Sequence, residues 1–233
     1  MPIFESLTGE AAIDAYLALL AERPELAGRR DDLVIVDDRS ELVHHVAESG
    51  DAIGLVLRSI FGLVVIDLVE SYGVRFPYIR LVAPFPVVDV AGVVCLAVAD
   101  ETDGAEPSVV LVESFRHATG QAHLELPRGF VGGQEAAADA AIRELQEETG
   151  YQSDQPEVLA TTLTDTGLTA NNVAFVRLRV TGRVEAEPEV TESIRSVQMI
   201  PLDRLRRMVR SGEVTDGFTI QALGLLAAMG GDS

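Results

Sequence analysis

The chain contains no tryptophan and no lysine, and only one cysteine, Cys95. Without lysine there can be no P-loop lysine and no Schiff-base lysine, and all 18 basic residues are arginine. A single thiol excludes an internal disulfide and a zinc site built mainly from thiolates. Its setting, Val93-Val94-Cys95-Leu96-Ala97, predicts a buried packing residue and not a nucleophile. Positive charge is scarce: 18 bases face 37 acids, a formal charge of −19. Such a field repels phosphate backbones and argues against a nucleic-acid partner. Long apolar runs are missing too. The most apolar stretch, Leu81 to Ala99, is broken by Pro84, Pro86 and Asp89, which argues against a membrane helix. The first residues, Met1 to Glu5, lack the basic start and apolar run of a secretory leader, so a cytoplasmic setting is expected.

What is present is ordinary globular material: 233 residues, 47% hydrophobic and 24% charged, enough for one domain with a sizeable extra segment. Apolar residues at helical spacing predict a helix over 8–22, stopped by Pro24. A short strand at 33–36 and a second helix from Ser40 to near Gly50 follow. His44 and His45 sit side by side on that helix, about 100° apart, so they cannot chelate one metal. From Ile53 to Val90, β-branched runs broken by glycine and proline predict several antiparallel strands. Further strands are expected at 90–99, 108–115, 157–164 and 172–181, and helices at 135–149, 202–210 and 217–229. The change of texture puts a boundary near residue 88.

The chemistry concentrates between Gly129 and Tyr151. A glycine-rich turn precedes a helix that begins almost entirely in alanine, the best helix former, and ends at Gly150. Glu144, Glu147 and Glu148 lie three and four residues apart and therefore project from one side of that helix. Like charges at those spacings, at the helix end that disfavours anions, call for a cation. Hard carboxylate oxygens favour Mg²⁺ or Mn²⁺ over zinc or copper. Glu135, Asp139 and Arg143 follow at steps of four, so Arg143 can pair with upstream acids.

Gly129, five residues, Glu135, seven residues, Arg143-Glu144-Leu145, one residue, Glu147-Glu148, one residue, Gly150 and Tyr151 reproduce the Nudix box. Chance would yield this match in about one chain in 10⁵. Across roughly residues 90–229 the chain resembles a Nudix hydrolase. That resemblance implies an α/β fold, an α/β/α sandwich with a mixed sheet, over residues 89–233. Residues 1–88 would form an N-terminal α+β extension that contributes to dimerisation or substrate binding. It also implies Mg²⁺-dependent hydrolysis of a nucleoside diphosphate linked to another moiety, with Mn²⁺ as substitute, giving a nucleoside monophosphate and a phosphorylated product. Carried over by position, Glu144, Glu147 and Glu148 would ligate metal, with the Gly129 carbonyl as a further ligand. Arg143 and Glu135 would form the orienting ion pair. Tyr151 stands where the family usually has an aliphatic residue.

The flanks resemble the ADP-ribose and nucleotide-sugar pyrophosphatase branch. Val110 to Gly120 contains the aromatic-arginine pair Phe115-Arg116, and Leu124-Glu125-Leu126-Pro127-Arg128-Gly129 follows. The resemblance implies that Arg116 meets the diphosphate or terminal ribose and that Glu125 adds a metal-side carboxylate. It also implies that Glu192, with Glu189 as runner-up, activates the attacking water, and that the protein is a homodimer. Phe76, Tyr78 and Arg80 are candidates for stacking on a base, weighed against packing. Two departures stand out. Arg128 replaces the usual alanine, placing a cation at the mouth of the box within reach of substrate phosphate. The stretch Thr164 to Leu168 lacks the proline that the ADP-ribose branch tends to carry, which leaves other nucleotide sugars and nonstandard diphosphates open. A Nudix-like sensing module without turnover is the alternative from another class; the intact carboxylates count against it.

Overall fold

The structure, a computed structural model, describes residues 4–27, 29–30, 33–59, 62–83, 90–99, 106–186 and 193–229. The chain divides into two compact units, residues 1–87 with 163–171, and residues 88–162 with 172–233. The segment 163–171, expected to belong with the C-terminal part, thus counts with the first unit.

In the first unit, α1 (Gly9–Glu22) and α2 (Arg39–Ser49) accompany a sheet of six strands: β1 (Phe4–Ser6), β2 (Arg29–Arg30), β3 (Leu33–Ile35), β4 (Gly54–Ser59), β5 (Leu63–Ser71) and β6 (Val74–Val82). The spine is β5. Along one edge β6 pairs with it antiparallel from end to end, while β4 and β3 share its other edge. Helix α2 starts where the Asp38 side chain accepts the Glu41 N–H at 3.0 Å and stops at Gly50 in the left-handed region. His44 and His45 go to separate acids, Glu48 and Asp51, as their spacing requires.

The core of this unit, including Ile13, Tyr16, Leu42, Leu55 and Leu68, encloses one acid. Asp67 is 1% exposed; its carboxylate accepts the Tyr16 hydroxyl at 2.7 Å and the Arg80 guanidinium at 2.5 and 2.7 Å. Burial, and then the Asp67 charge, push the Tyr16 hydroxyl far above its ordinary pKa, which keeps it a neutral donor. Arg80 and Tyr78 therefore have structural partners: Arg80 holds Asp67, and the Tyr78 hydroxyl donates to the Gly167 carbonyl at 2.5 Å. Both border a cavity of about 310 Å³ that residues 166–170 also line. Phe76 is more than a third exposed, on β6.

The second unit is built on a seven-stranded mixed sheet. Its strands are β7 (Gly92–Ala99), β8 (Ser108–Arg116), β9 (Gln121–Glu125), β10 (Arg128–Phe130), β12 (Pro156–Leu163), β13 (Asn172–Arg179) and β15 (Ile194–Pro201). A two-stranded ribbon of β11 (Tyr151–Gln152) and β14 (Gly182–Arg183) stands apart from it. The order is β12-β13-β7-β8-β15, with β10 on β7 and β9 on β8; β13 runs parallel to β7, and the β7–β8 and β8–β15 pairs are antiparallel. Nearly every residue of β7 is buried, the mark of a strand covered on both faces. Val93, Cys95 and Ala97 pack with Ala140, Ala141 and Leu145 of α3 (Ala137–Thr149). Val94, Leu96 and Val98 pack on the opposite side with Leu205 and Met208 of α4 (Leu202–Ser211) and Ala222 of α5 (Gly217–Met229). Alternate residues of one strand thus serve two helical layers, which is the expected α/β/α sandwich. Cys95 is fully buried, donates to the Ala141 carbonyl, and has its thiol pKa pushed up chiefly by burial. Among the described residues no helix is long and apolar enough to cross a membrane.

Candidate active site

Alanine at 137, 138, 140 and 141 lets α3 lie flat on the sheet. Gly150 ends the helix at φ +73°, its N–H returning to the Gln146 carbonyl. A Cβ there would lie 2.3 Å from the Val184 carbonyl oxygen, so the position needs glycine for conformation and for space.

The three glutamates share one side of α3 but not one depth. Glu144 and Glu148 are recessed, 6% and 5% exposed, while Glu147 lies at the rim with 38% of its side chain exposed. The recess is walled by β10. Glu148 Oε2 accepts the Arg128 backbone N–H at 3.2 Å. Gly129 faces Glu144 so closely that a Cβ would fall 2.0 Å from its carboxyl carbon. The Gly129 carbonyl lies over Gly92 of β7, 2.9 Å from where a Cβ there would stand.

Arg143 binds the acids together. Its Nε and Nη2 grip Glu135 at 3.1 and 3.0 Å, Nη1 reaches Glu144 at 2.8 Å and Glu147 at 2.9 Å, and Nη2 also donates to the Phe130 carbonyl. This fork holds the Glu135 carboxyl below its ordinary pKa of 4.5 and raises that of the guanidinium. Because the folded value is depressed, the pair contributes stability that is fully present above the unfolded value, near 4.5. The contribution drains away as pH falls through the folded value. Glu135→Gln is therefore expected to lower stability by about 0.5–1 kcal/mol at pH 7, and the gap from the parent should narrow steadily as pH falls below the ordinary value of 4.5. Urea unfolding of the two proteins at about pH 7 and at a series of pH values below 4.5 measures it.

A second cluster adjoins the box. Glu125, at the end of β9, is 1% exposed, and its carboxylate accepts from Arg116 and, at 2.8 Å, from Arg128. Arg116 keeps 41% of its side chain exposed, and its Nε is buried with no partner among the described residues. Arg128 also reaches Asp216 at 2.9 Å and lies 4.8 Å over the Phe218 ring. The sequence singled out Arg128 but not its partner. Asp216 followed by Thr219 at the head of an apolar run signals a helix cap, which the structure contains: Asp216 accepts the Thr219 N–H and hydroxyl, each at 2.8 Å. Nothing in the sequence ties that cap to a residue 88 positions earlier.

The structure therefore gathers Glu135, Arg143, Glu144, Glu147, Glu148 and Gly129 around one face of α3, and Arg116, Glu125 and Arg128 into a linked ion network. Glu189 and Glu192 lie outside the described residues. Among the described residues no three His, Cys, Asp or Glu side chains converge on one point, and Arg143 Nη1 contacts both Glu144 and Glu147. The donor set suits a hard divalent cation: clustered carboxylates against a backbone whose missing side chain leaves room for them. Glu144, Glu147 and Glu148 would hold such an ion.

The stretch that carries these residues is similar to known proteins. The model of the NUDIX domain matches residues 89–217, more than half of the chain. Mouse ADP-sugar pyrophosphatase is 38% identical over 74 residues, 32% of this chain and 34% of that protein. The ADP-ribose pyrophosphatase of Saccharomyces cerevisiae is 32% identical over 91 residues, 39% of each chain. The chain thus spans little more than a third of the length of these curated relatives. A crystal structure of an ADP compounds hydrolase superposes with a TM-score of 0.60 at 20% identity, covering 75% of this chain and 89% of the other, a likeness of fold. The acid-and-glycine architecture on α3 and β10 and the match over its sequence lead to one conclusion: the chain belongs to the Nudix family.

Proposed function

We propose that this protein hydrolyses the diphosphate bond of an ADP-linked compound, ADP-ribose or a nucleotide sugar. The products would be a nucleoside monophosphate and a phosphorylated partner. The observation that carries the reading is the recess where Glu144 faces the side-chain-free backbone of Gly129 and Glu148 accepts the neighbouring Arg128 N–H, with Arg143 bracing Glu144 and Glu147. The names of the mouse and yeast relatives point to the same substrate class. Mg²⁺, with Mn²⁺ as substitute, would neutralise the diphosphate and acidify a water when bound.

The chain's own residues divide the remaining work. Arg143, gripped by Glu135, holds Glu144 and Glu147 in position through its Nη1. Glu125 fixes Arg116 by its Nη2, leaving the exposed part of that guanidinium to meet a phosphate. Arg128 has its donors committed to Glu125 and Asp216, so Arg116 is the better phosphate ligand of the two. Glu192 is our choice for the base that takes the water proton. A homodimer is supported by the exposed apolar residues Val74, Ile79 and Leu81 on β6, an edge strand of the first unit's sheet. The single buried thiol, Cys95, fits a cytoplasmic setting.

The test is release of nucleoside monophosphate from a panel of ADP-ribose, ADP-sugars, GDP-sugars and nucleoside triphosphates, with and without chelator. Turnover of one or more diphosphate-linked substrates, abolished by EDTA and restored by Mg²⁺, is expected. Hydrolysis confined to the triphosphates would overturn the substrate class, and binding without metal-dependent turnover would turn the reading to a sensing module.

A further inference from the structure

We infer that Arg128 and Asp216 are positioning residues through which the first turn of α5 sets the wall of the carboxylate recess. The inference rests on the metal-site reading above. Arg128 stands where the resembling branch has alanine, so the clasp it makes is an addition of this chain.

The segment Leu126-Pro127-Arg128 has three tertiary anchors. The Leu126 N–H donates to the Thr219 hydroxyl at 3.1 Å, the Pro127 carbonyl accepts from Cys95 of β7 at 2.8 Å, and the Arg128 side chain pairs with Asp216. Two of the three run to residues 216–219 at the head of α5. Asp216 serves both: one carboxylate oxygen caps the helix through Thr219 while the other holds Arg128. Phe218, from the same turn, lies against the guanidinium face.

From the opposite end of Arg128, its backbone N–H holds Glu148, and the next residue is the glycine that faces Glu144. A side chain fixed at three points, Glu125, Asp216 and Phe218, leaves the residue little freedom to rotate. The N–H on Glu148 is then held in place ahead of metal binding rather than ordered by it. Partners of this kind, one step behind a ligand, typically change metal affinity 10–100-fold.

Two substitutions separate positioning from folding. Arg128→Lys keeps a cation beside buried Glu125 but cannot bridge two carboxylates and stack on Phe218 at once. Asp216→Asn keeps an oxygen for the α5 cap but removes the charge from the clasp. Mn²⁺ affinity of the purified full chain, read from the loss of the free-ion EPR signal, should weaken about tenfold in each. The double variant should be little worse than either single one, since both break one link. The Mg²⁺ concentration for half-maximal rate should rise in parallel, while KM for substrate stays within about threefold and the melting temperature within a few degrees. Mn²⁺ affinity within about twofold of the parent in both variants would overturn the inference, as would a loss that merely follows the unfolded fraction. Glu148→Gln, measured alongside, keeps the two readings apart. If it also leaves Mn²⁺ binding intact, the metal site itself is misassigned. If it abolishes binding while the clasp variants retain it, only the positioning role falls.

Discussion

Glu148→Gln is expected to lower kcat on the preferred diphosphate substrate by about 10³-fold or more, with little change in melting temperature. The replacement is nearly isosteric and keeps one oxygen to accept the Arg128 N–H. What disappears is a negative charge recessed in the protein, where an ion–carboxylate contact is worth far more than in water. Loss of a single preorganised electrostatic contact at a reacting centre commonly costs 10²–10³-fold, and loss of a direct metal ligand belongs at or beyond the upper end. The fold has little reason to object. Glu144 and Glu148 are like charges four apart near the C-terminal end of α3, an arrangement that costs a helix about 0.2–0.5 kcal/mol. Neutralising one of them relieves part of that repulsion, so the thermal midpoint should hold or rise slightly. Stopped-time assay of nucleoside monophosphate release and calorimetry of the same preparation make the comparison. A variant within tenfold of the parent rate would remove Glu148 from the centre of the chemistry.

That prediction starts from residues the sequence already displayed, and the reason is local. Alanine-rich spacing, a terminal glycine and acids at steps of three and four are all contained within one helix, so α3 could be drawn before any coordinates. The unbroken apolar run from Val93 to Val98 likewise reads as a strand, which the structure shows buried on both faces. Pieces governed by distant partners were not legible. β10 is three residues long and exists because β7 pairs with it, and β15 is recruited by β8 despite the polar residues in its sequence. Asp67 lies inside an apolar run and offers no hint that Tyr16 and Arg80 neutralise it. Phe76, Tyr78 and Arg80 read alike as aromatic or cationic residues on one strand; only the fold distinguishes the exposed Phe76 from an Arg80 committed to Asp67. The depth of the three glutamates was also hidden. A helical wheel gives their common side, whereas the recess of Glu144 and Glu148 depends on where β10 lies.

Gly129 turns that depth into the second large expectation. A methyl group at this position would stand 2.0 to 2.2 Å from the carbon and both oxygens of the Glu144 carboxyl, far inside any contact real side chains tolerate. The carboxyl is the free end of a flexible chain, so Gly129→Ala should fold. Swinging it aside nevertheless breaks the 2.8 Å contact with Arg143 and pushes a buried charge from its place. Overpacking of this kind typically costs about 1–3 kcal/mol of stability. Activity should suffer more, by about 10²-fold, because a displacement of about 1 Å in a reacting constellation is enough for that. Gly132→Ala supplies the control three residues on, in the turn that follows β10: a Cβ there meets its nearest neighbour, Glu135 Oε2, at 3.9 Å, an ordinary van der Waals contact. That variant should keep its rate within about twofold if space around Glu144, and not loss of a glycine from this segment, is what matters. Full activity in Gly129→Ala would mean that Glu144 works from a position other than the recess. Equal losses in both variants would trace the effect to the backbone of residues 129–132.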